Sequence, residues 1–131
     1  MADEKKSRIL SGGASVLVSD PERSVEWYKT LGFTVGRMHR LDEAIAYVYM
    51  HREDATLLLS SRQSLESVGA IPAGLKLGGT AISLKVSSVR AFHREISATL
   101  GSVPPPEPQG SRLELRLQDP DGYDIVFFEW C

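Results

Sequence analysis

One order of elements, strand, helix, strand, strand, strand, can be read twice along this 131-residue chain, and that repetition constrains the fold more than any other feature. In the first copy, residues 14–19 (ASVLVS) form a short apolar run. Asp20 is a good helix N-cap, Pro21 suits the first helical position, and Glu22 favours the positive end of the helix. Val25, Tyr28 and Leu31 recur at helical spacing, and Gly32 fits the stop. Phe33–Arg40 reads as a strand, Leu41-Asp42-Glu43 as a turn and Ala44–His51 as a second strand. Arg52-Glu53-Asp54 turns again before the strand Thr56–Ser60.

The second copy opens with Thr80–Val86 as a strand. Ser87 or Ser88 caps a helix that carries Val89, Phe92, Ile96 and Leu100 on one side, and Gly101 follows it. Residues 103–110 (VPPPEPQG) are too rich in proline for a central strand, so the second strand of this copy is weak. Arg112–Gln118 alternates strictly, Asp119-Pro120-Asp121-Gly122 makes a tight turn, and Tyr123–Trp130 closes the chain as an apolar strand. The repeat lies in the order of elements, since identity between the halves is slight. Residues 61–79 break the rhythm, with a short helical turn around Ser64–Val68, and read as a connector whose length points to a functional segment.

Composition narrows the class. Hydrophobic residues at 42% and charged residues at 24% are ordinary for a globular protein, and the length suffices for a core. No apolar run reaches membrane-spanning length, and residues 1–8 (MADEKKSR) lack the apolar region of a signal peptide. Cys131 is the only cysteine, so no disulfide can form within the chain, which fits a reducing cytoplasm. A net charge of −2 gives no basic field to recruit nucleic acid. The expectation is a cytoplasmic protein with neither nucleic acid nor membrane as a partner.

The stretches Asp20–Phe33, with its Trp27-Tyr28 pair and Leu31-Gly32-Phe33 ending, and Asp119–Glu129 together resemble the vicinal-oxygen-chelate superfamily of glyoxalase I, the extradiol dioxygenases and the bleomycin-resistance proteins. The resemblance covers roughly residues 9–130. It implies one α+β domain over residues 1–131: module one at about 9–60, a connector at about 61–79 and module two at about 80–130. The two β-α-β-β-β modules would form a curved mixed sheet around a cleft, with helices outside. It also implies a homodimer in which modules of both chains build each cleft. The usual ending of the family has Asn where this chain has Tyr123, and a metal-binding Glu where it has Val126.

Metal-using members place ligands at four equivalent strand positions. Counted from the motifs, these fall on Gly13, Leu58, Ala81 and Val126, with Thr80 or Ile82 in place of Ala81 if the register slips. None of those side chains offers the imidazole, carboxylate or thiolate that a divalent metal needs. No metal or other cofactor is therefore expected. A replacement site from His39, His51 and Glu53 is the lesser alternative to solvated histidines, and His93 falls on the polar side of the second helix. No nucleophile elbow or phosphate loop is present, and no catalytic residue is assigned.

Alternation then names the cleft face, because the ligand positions set its parity. Strand one presents Ser15 and Leu17, the strand Thr56–Ser60 presents Thr56, Leu58 and Ser60, and Thr80–Val86 presents Ser83 and Lys85. The last strand presents Asp124, Val126, Phe128 and Trp130. Leu113, Leu115 and Leu117 face the helix core, which sends Arg112, Glu114, Arg116 and Gln118 to the cleft or to a subunit contact. Ala44–His51 offers either Tyr47 and Tyr49 or Ala46, Val48 and Met50, and the tyrosines are favoured. Tyr47, Tyr49, Glu114, Arg116, Phe128 and Trp130 are thus the candidate ligand-binding residues, with core or dimer-interface packing as the other reading of Phe128 and Trp130. Trp27 and Tyr28 read as packing. The missing donors point to the bleomycin-resistance type: a metal-independent protein that binds a small molecule, with an aromatic antibiotic as one candidate. Glu114, Asp124 or Glu129 would meet cationic groups of such a ligand. The alternative is an enzyme of the superfamily, a lyase, isomerase or dioxygenase, with Glu114, His39, His51 or Tyr49 as its acid or base.

Overall fold

A computed structural model describes residues 6–131; residues 1–5, at the start of the mixed-charge segment, lie outside it. Module one consists of β1 (Gly13–Val18), α1 (Pro21–Lys29), β2 (Thr34–Leu41), β3 (Ala44–Arg52) and β4 (Ala55–Ser61). The connector opens with α2 (Arg62–Ser67), two residues earlier than the turn read from sequence. Module two consists of β5 (Ala81–Lys85), α3 (Val89–Leu100), β6 (Glu107–Gln109), β7 (Arg112–Gln118) and β8 (Asp124–Trp130).

The strands form two four-stranded mixed sheets of identical topology, β1-β4-β3-β2 and β5-β8-β7-β6. In each, the first strand runs parallel to the last and the remaining neighbours are antiparallel. This is the α+β class expected. The proline-rich loop contributes only the three-residue β6, whose Pro108 is tolerable because β6 pairs with β7 alone, at the sheet edge.

Helix boundaries follow from caps. The Asp20 side chain accepts from the Arg23 backbone N–H at 3.3 Å, and Pro21 stands at the first helical position. Ser88 does the same for Ala91 at 3.1 Å. Val25 and Tyr28 of α1 are buried over module one with Val16, Val18, Val48, Met50, Leu57 and Leu59. Val89, Phe92 and Ile96 of α3 are buried with Leu113, Leu115, Ile125 and Phe127 of module two. Each of these side chains stabilises the fold by about 1.5–3 kcal/mol through lost contact with water.

The two modules share one core. The turn between β7 and β8 docks on module one through three of its residues. Asp119 accepts from the Tyr28 hydroxyl at 2.7 Å while also accepting from the backbone N–H groups of Asp121 and Tyr123, both at 2.9 Å. Asp121 accepts from the Ser19 backbone at 3.1 Å and from its hydroxyl at 2.6 Å. The Tyr123 hydroxyl donates to the Leu17 carbonyl at 2.8 Å. Gly122 closes that turn at φ 88°, a conformation that disfavours any residue with a Cβ. At the other end of the junction, Arg52 donates to the Leu31 carbonyl at 2.7 Å and grips the Glu95 carboxylate of α3 at 2.7 and 3.0 Å.

Candidate functional site

Both sheets carry their helix on one face, and the opposite faces collect the side chains with binding chemistry. On module one, Tyr47 pairs with Ser60, Tyr49 with Leu58 and His51 with Thr56, while Ser15 and Leu17 of β1 stand beside Leu58 and Ser60. Ala46, Val48 and Met50 are buried on the helix side, so Tyr47 and Tyr49 stand on the opposite face of β3. Four rings run in a row across β2 and β3. His39 stacks on Tyr47 at 5.3 Å, Tyr47 meets Tyr49 edge-on at 6.0 Å, and Tyr49 stacks on His51 at 6.4 Å.

On module two, the register sets Lys85, Phe128 and Glu114 in one row and Ser83, Val126 and Arg116 in the next. Phe128 and Trp130 meet edge-on at 5.5 Å. The Arg112 guanidinium lies over both rings, 4.5 Å from Phe128 and 5.8 Å from Trp130. Glu114 is only 6% exposed, held between Arg112 and Arg116, the latter at 3.7 Å. Arg116 also reaches Asp124 at 3.4 Å. The candidate residues thus fall into two groups, Tyr47 and Tyr49 on one sheet and Glu114, Arg116, Phe128 and Trp130 on the other.

The four positions counted as metal sites do not fit a divalent ion. Leu58, Ala81 and Val126 have no donor atoms, and Val126 is 1% exposed. Gly13 is excluded sterically as well: a Cβ added there would lie 1.9 Å from the Thr56 carbonyl oxygen, because β1 runs so close to β4. Among the described residues no group of three or more His, Cys, Asp or Glu side chains is placed to hold a metal. His39 and His51 do not face one another: His39 pairs with Tyr47 and His51 with Thr34, so the tyrosine pair separates them. His51 bonds Thr56 at 3.2 Å, and His93 bonds the Val103 carbonyl at 3.2 Å.

Glu129 requires a correction. It stands opposite Leu113, and its carboxylate accepts from the Val89 backbone N–H at 2.8 Å. It therefore serves the positive end of α3 and cannot meet a ligand on the other face.

Sequence reasoning missed the long-range partners of the β7–β8 turn. The only signal was the spacing of Asp119, Asp121 and Tyr123, polar residues at every second position of a turn. Burial is the main reason the Tyr28 phenol is held well above the usual tyrosine range; its bond to Asp119 and the negative charges of Asp119 and Asp121 add to it. Arg52 is pushed up chiefly by its bond to Glu95, against a smaller effect of burial.

Two cavities open elsewhere. One of about 400 Å³ lies at the module junction against Phe33, Arg52, Lys85, Phe92 and Phe127. The other, of about 490 Å³, lies where Ser19 and Glu22 meet Ser61, Gln63 and Ser67 at the start of the connector. Neither is lined by Tyr47, Tyr49, Glu114, Arg116, Phe128 or Trp130.

With this geometry in view, the model of the Glyoxalase/Bleomycin resistance protein/Dioxygenase superfamily matches residues 12–127. The chain belongs to that superfamily. A comparison with curated proteins gave no match. Among solved structures, one similar fold is a glyoxalase/bleomycin resistance protein/dioxygenase from Nocardioides, at TM-score 0.73 and 20% identity over 95% of this chain and 85% of that one. Another is TnmS3, an antibiotic binding protein from Streptomyces sp. CB03234, at TM-score 0.71 and 18% identity over 96% and 99% of the two chains. A third is a bleomycin-binding protein complexed with bleomycin, at TM-score 0.64 and 18% identity over 91% and 97%. At these identities the likeness is one of fold.

Proposed function

We propose that this superfamily member binds a planar aromatic small molecule and withholds it without chemistry of its own or a metal, in the manner of the antibiotic-binding members. The observation that carries this reading is the pair of helix-free sheet faces. They are walled by the ring row His39-Tyr47-Tyr49-His51 on one sheet and by Phe128 and Trp130 on the other, and the superfamily's metal positions hold Gly13, Leu58, Ala81 and Val126 instead of donors. Rings of this kind stack on aromatic ligands with little ordering cost. An antibiotic is the ligand class that the names of two structural neighbours suggest.

The proposal includes a homodimer in one cytoplasmic domain, residues 1–131, with faces from two copies forming opposite walls of each cleft. Support comes from what one chain leaves uncovered. Ile9 and Leu10 are 94% and 87% exposed just before β1, Trp130 is 56% exposed, and β1 and β5 are unpaired along one edge among the described residues. Helices long and apolar enough to cross a membrane are absent among the described residues.

The test is a thermal-shift screen across planar aromatic antibiotics, glycopeptide-type drugs, thiol cofactors and divalent metals, backed by elemental analysis after dialysis and sedimentation at micromolar concentration. A ligand that binds only the folded state raises the melting point. Stabilisation by an aromatic drug, less than stoichiometric metal and a dimer mass are expected. One bound transition metal per chain, or turnover of a stabilising compound, would sink the reading in favour of an enzyme. A clean monomer mass would remove the shared cleft.

A further inference from the structure

We propose a second binding site, separate from the cleft: the cavity of about 400 Å³ at the module junction takes a small neutral phenol, held there as the fold holds its own Tyr123 at the other junction.

The modules meet at two junctions related by the repeat, and the positions of one have counterparts in the other. Leu17 is the third residue before the N-cap Asp20, and Lys85 is the third before the N-cap Ser88. Gly13 opens β1 and pairs with Thr56, while Ala81 opens β5 and pairs with Asp124. The residues just before those partners, Ala55 and Tyr123, therefore correspond. Thr56 and Asp124 pair in turn with His51 and Gln118, so the residues after these, Arg52 and Asp119, correspond as well. The bonds agree with this matching. Asp119 accepts from Tyr28 of α1, and Arg52 donates to Glu95 of α3.

The junctions differ where Tyr123 and Ala55 stand. Tyr123 is 5% exposed, its ring lies in the core, and its hydroxyl donates to the Leu17 carbonyl at 2.8 Å. Ala55 ends at a methyl group, and the cavity opens beside it, lined also by Leu84, Lys85 and Val86. Ala55, Leu84 and Val86 pack against the core yet remain partly exposed, so they offer a ring an apolar surface still open to water. Lys85 supplies the counterpart of the Leu17 carbonyl. The Val86 N–H donates to the Phe128 carbonyl at 2.9 Å, on the β8 side. Backbone groups of successive strand residues point to opposite edges, so the Lys85 carbonyl turns to the other edge of β5, the end strand of its sheet. A carbonyl only accepts, so it favours a ligand that brings an O–H donor. A phenol brings both the ring and the donor, and a cavity of this size is ample for a small aromatic molecule.

The probe is para-cresol, which is the tyrosine side chain as a free molecule, titrated into isotope-labelled full-length protein and followed by amide NMR. Saturable shifts are expected at Ala55 and at Lys85–Ser87, with a dissociation constant on the order of millimolar. Para-methylanisole keeps the ring and lacks the donor, so it should bind about threefold to tenfold more weakly. Ala55→Tyr places a ring in the cavity and should abolish the para-cresol shifts; Ala55→Leu, a smaller filling, should weaken them. Shifts confined to the rows of Tyr47, Tyr49 and Phe128 would overturn the proposal and leave the cleft reading standing. Absence of shifts up to about 10 mM would overturn it too, as would equal affinity for the ether or full binding by folded Ala55→Tyr. The wild-type shift map and the ether comparison decide the matter even if Ala55→Tyr fails to fold.

Discussion

Tyr28→Phe is the most informative single change outside the cleft, because it removes one oxygen from the junction of the two modules. Tyr28 is fully buried, and its hydroxyl donates to Asp119 at 2.7 Å. Hydrogen bonds to charged groups contribute about 1.5–3 kcal/mol, and Asp119 keeps its two backbone donors after the change, so the expected loss lies in that range. For a chain of this size that corresponds to a fall of roughly 5–15 °C in melting point. A second signature separates this bond from simple packing. The folded state holds the phenol proton far more tightly than the unfolded chain, which releases it near pH 10, about the ordinary tyrosine value. The contribution is therefore fully present below that pH and is lost as pH rises above it, by up to about 1.4 kcal/mol per pH unit. Urea unfolding of wild type and Tyr28→Phe between about pH 8 and about pH 11 reads both effects, since the other tyrosines remain in both proteins. Asp119→Ala should cost more, about 3–5 kcal/mol, because it leaves the hydroxyl and two backbone N–H groups without their acceptor. A Tyr28→Phe cost below about 0.5 kcal/mol, with an alkaline slope equal to wild type, would refute the account of the junction.

Gly13→His, the change that restores a donor at the first metal position, should fail to create a metal site and should destabilise by about 1–3 kcal/mol, since any Cβ there strikes the Thr56 carbonyl; metal titration and denaturant unfolding check the two halves. Arg52→Met keeps the side-chain stem but leaves the Leu31 carbonyl and Glu95 without their donor, and a loss of about 1–2 kcal/mol is expected by thermal unfolding. Trp130→Ala should weaken a verified aromatic ligand by roughly 1–3 kcal/mol with little change in melting point, because the ring is largely exposed in the single chain; unchanged affinity and unchanged Trp130 emission on saturation would move the ring to a subunit contact.

The sequence alone determined what depends on neighbours along the chain. The caps Asp20 and Ser88 are local, and so is the confinement of Pro108 to an edge strand. The division of Tyr47 and Tyr49 from Val48 and Met50 comes from the two-residue period of a strand, once one face is known to be apolar. For the same reason the parity of Glu114, Arg116, Phe128 and Trp130 was legible. The repeated order of elements implied two like modules. What only the tertiary structure decided depends on groups brought together from far along the chain. Asp119 reads as a turn residue, yet its carboxylate is committed to Tyr28, 91 positions earlier. Tyr123 departs from the family's usual Asn, and its hydroxyl reaches the Leu17 carbonyl 106 positions back. Glu129 reads as a free charge until α3 presents an unpaired N–H to it. Gly13 reads as a lost ligand, and only the approach of β1 to β4 shows that no side chain fits there. Alternation tells which way a side chain points, but not what the second module, docked by its own turn, sets in front of it.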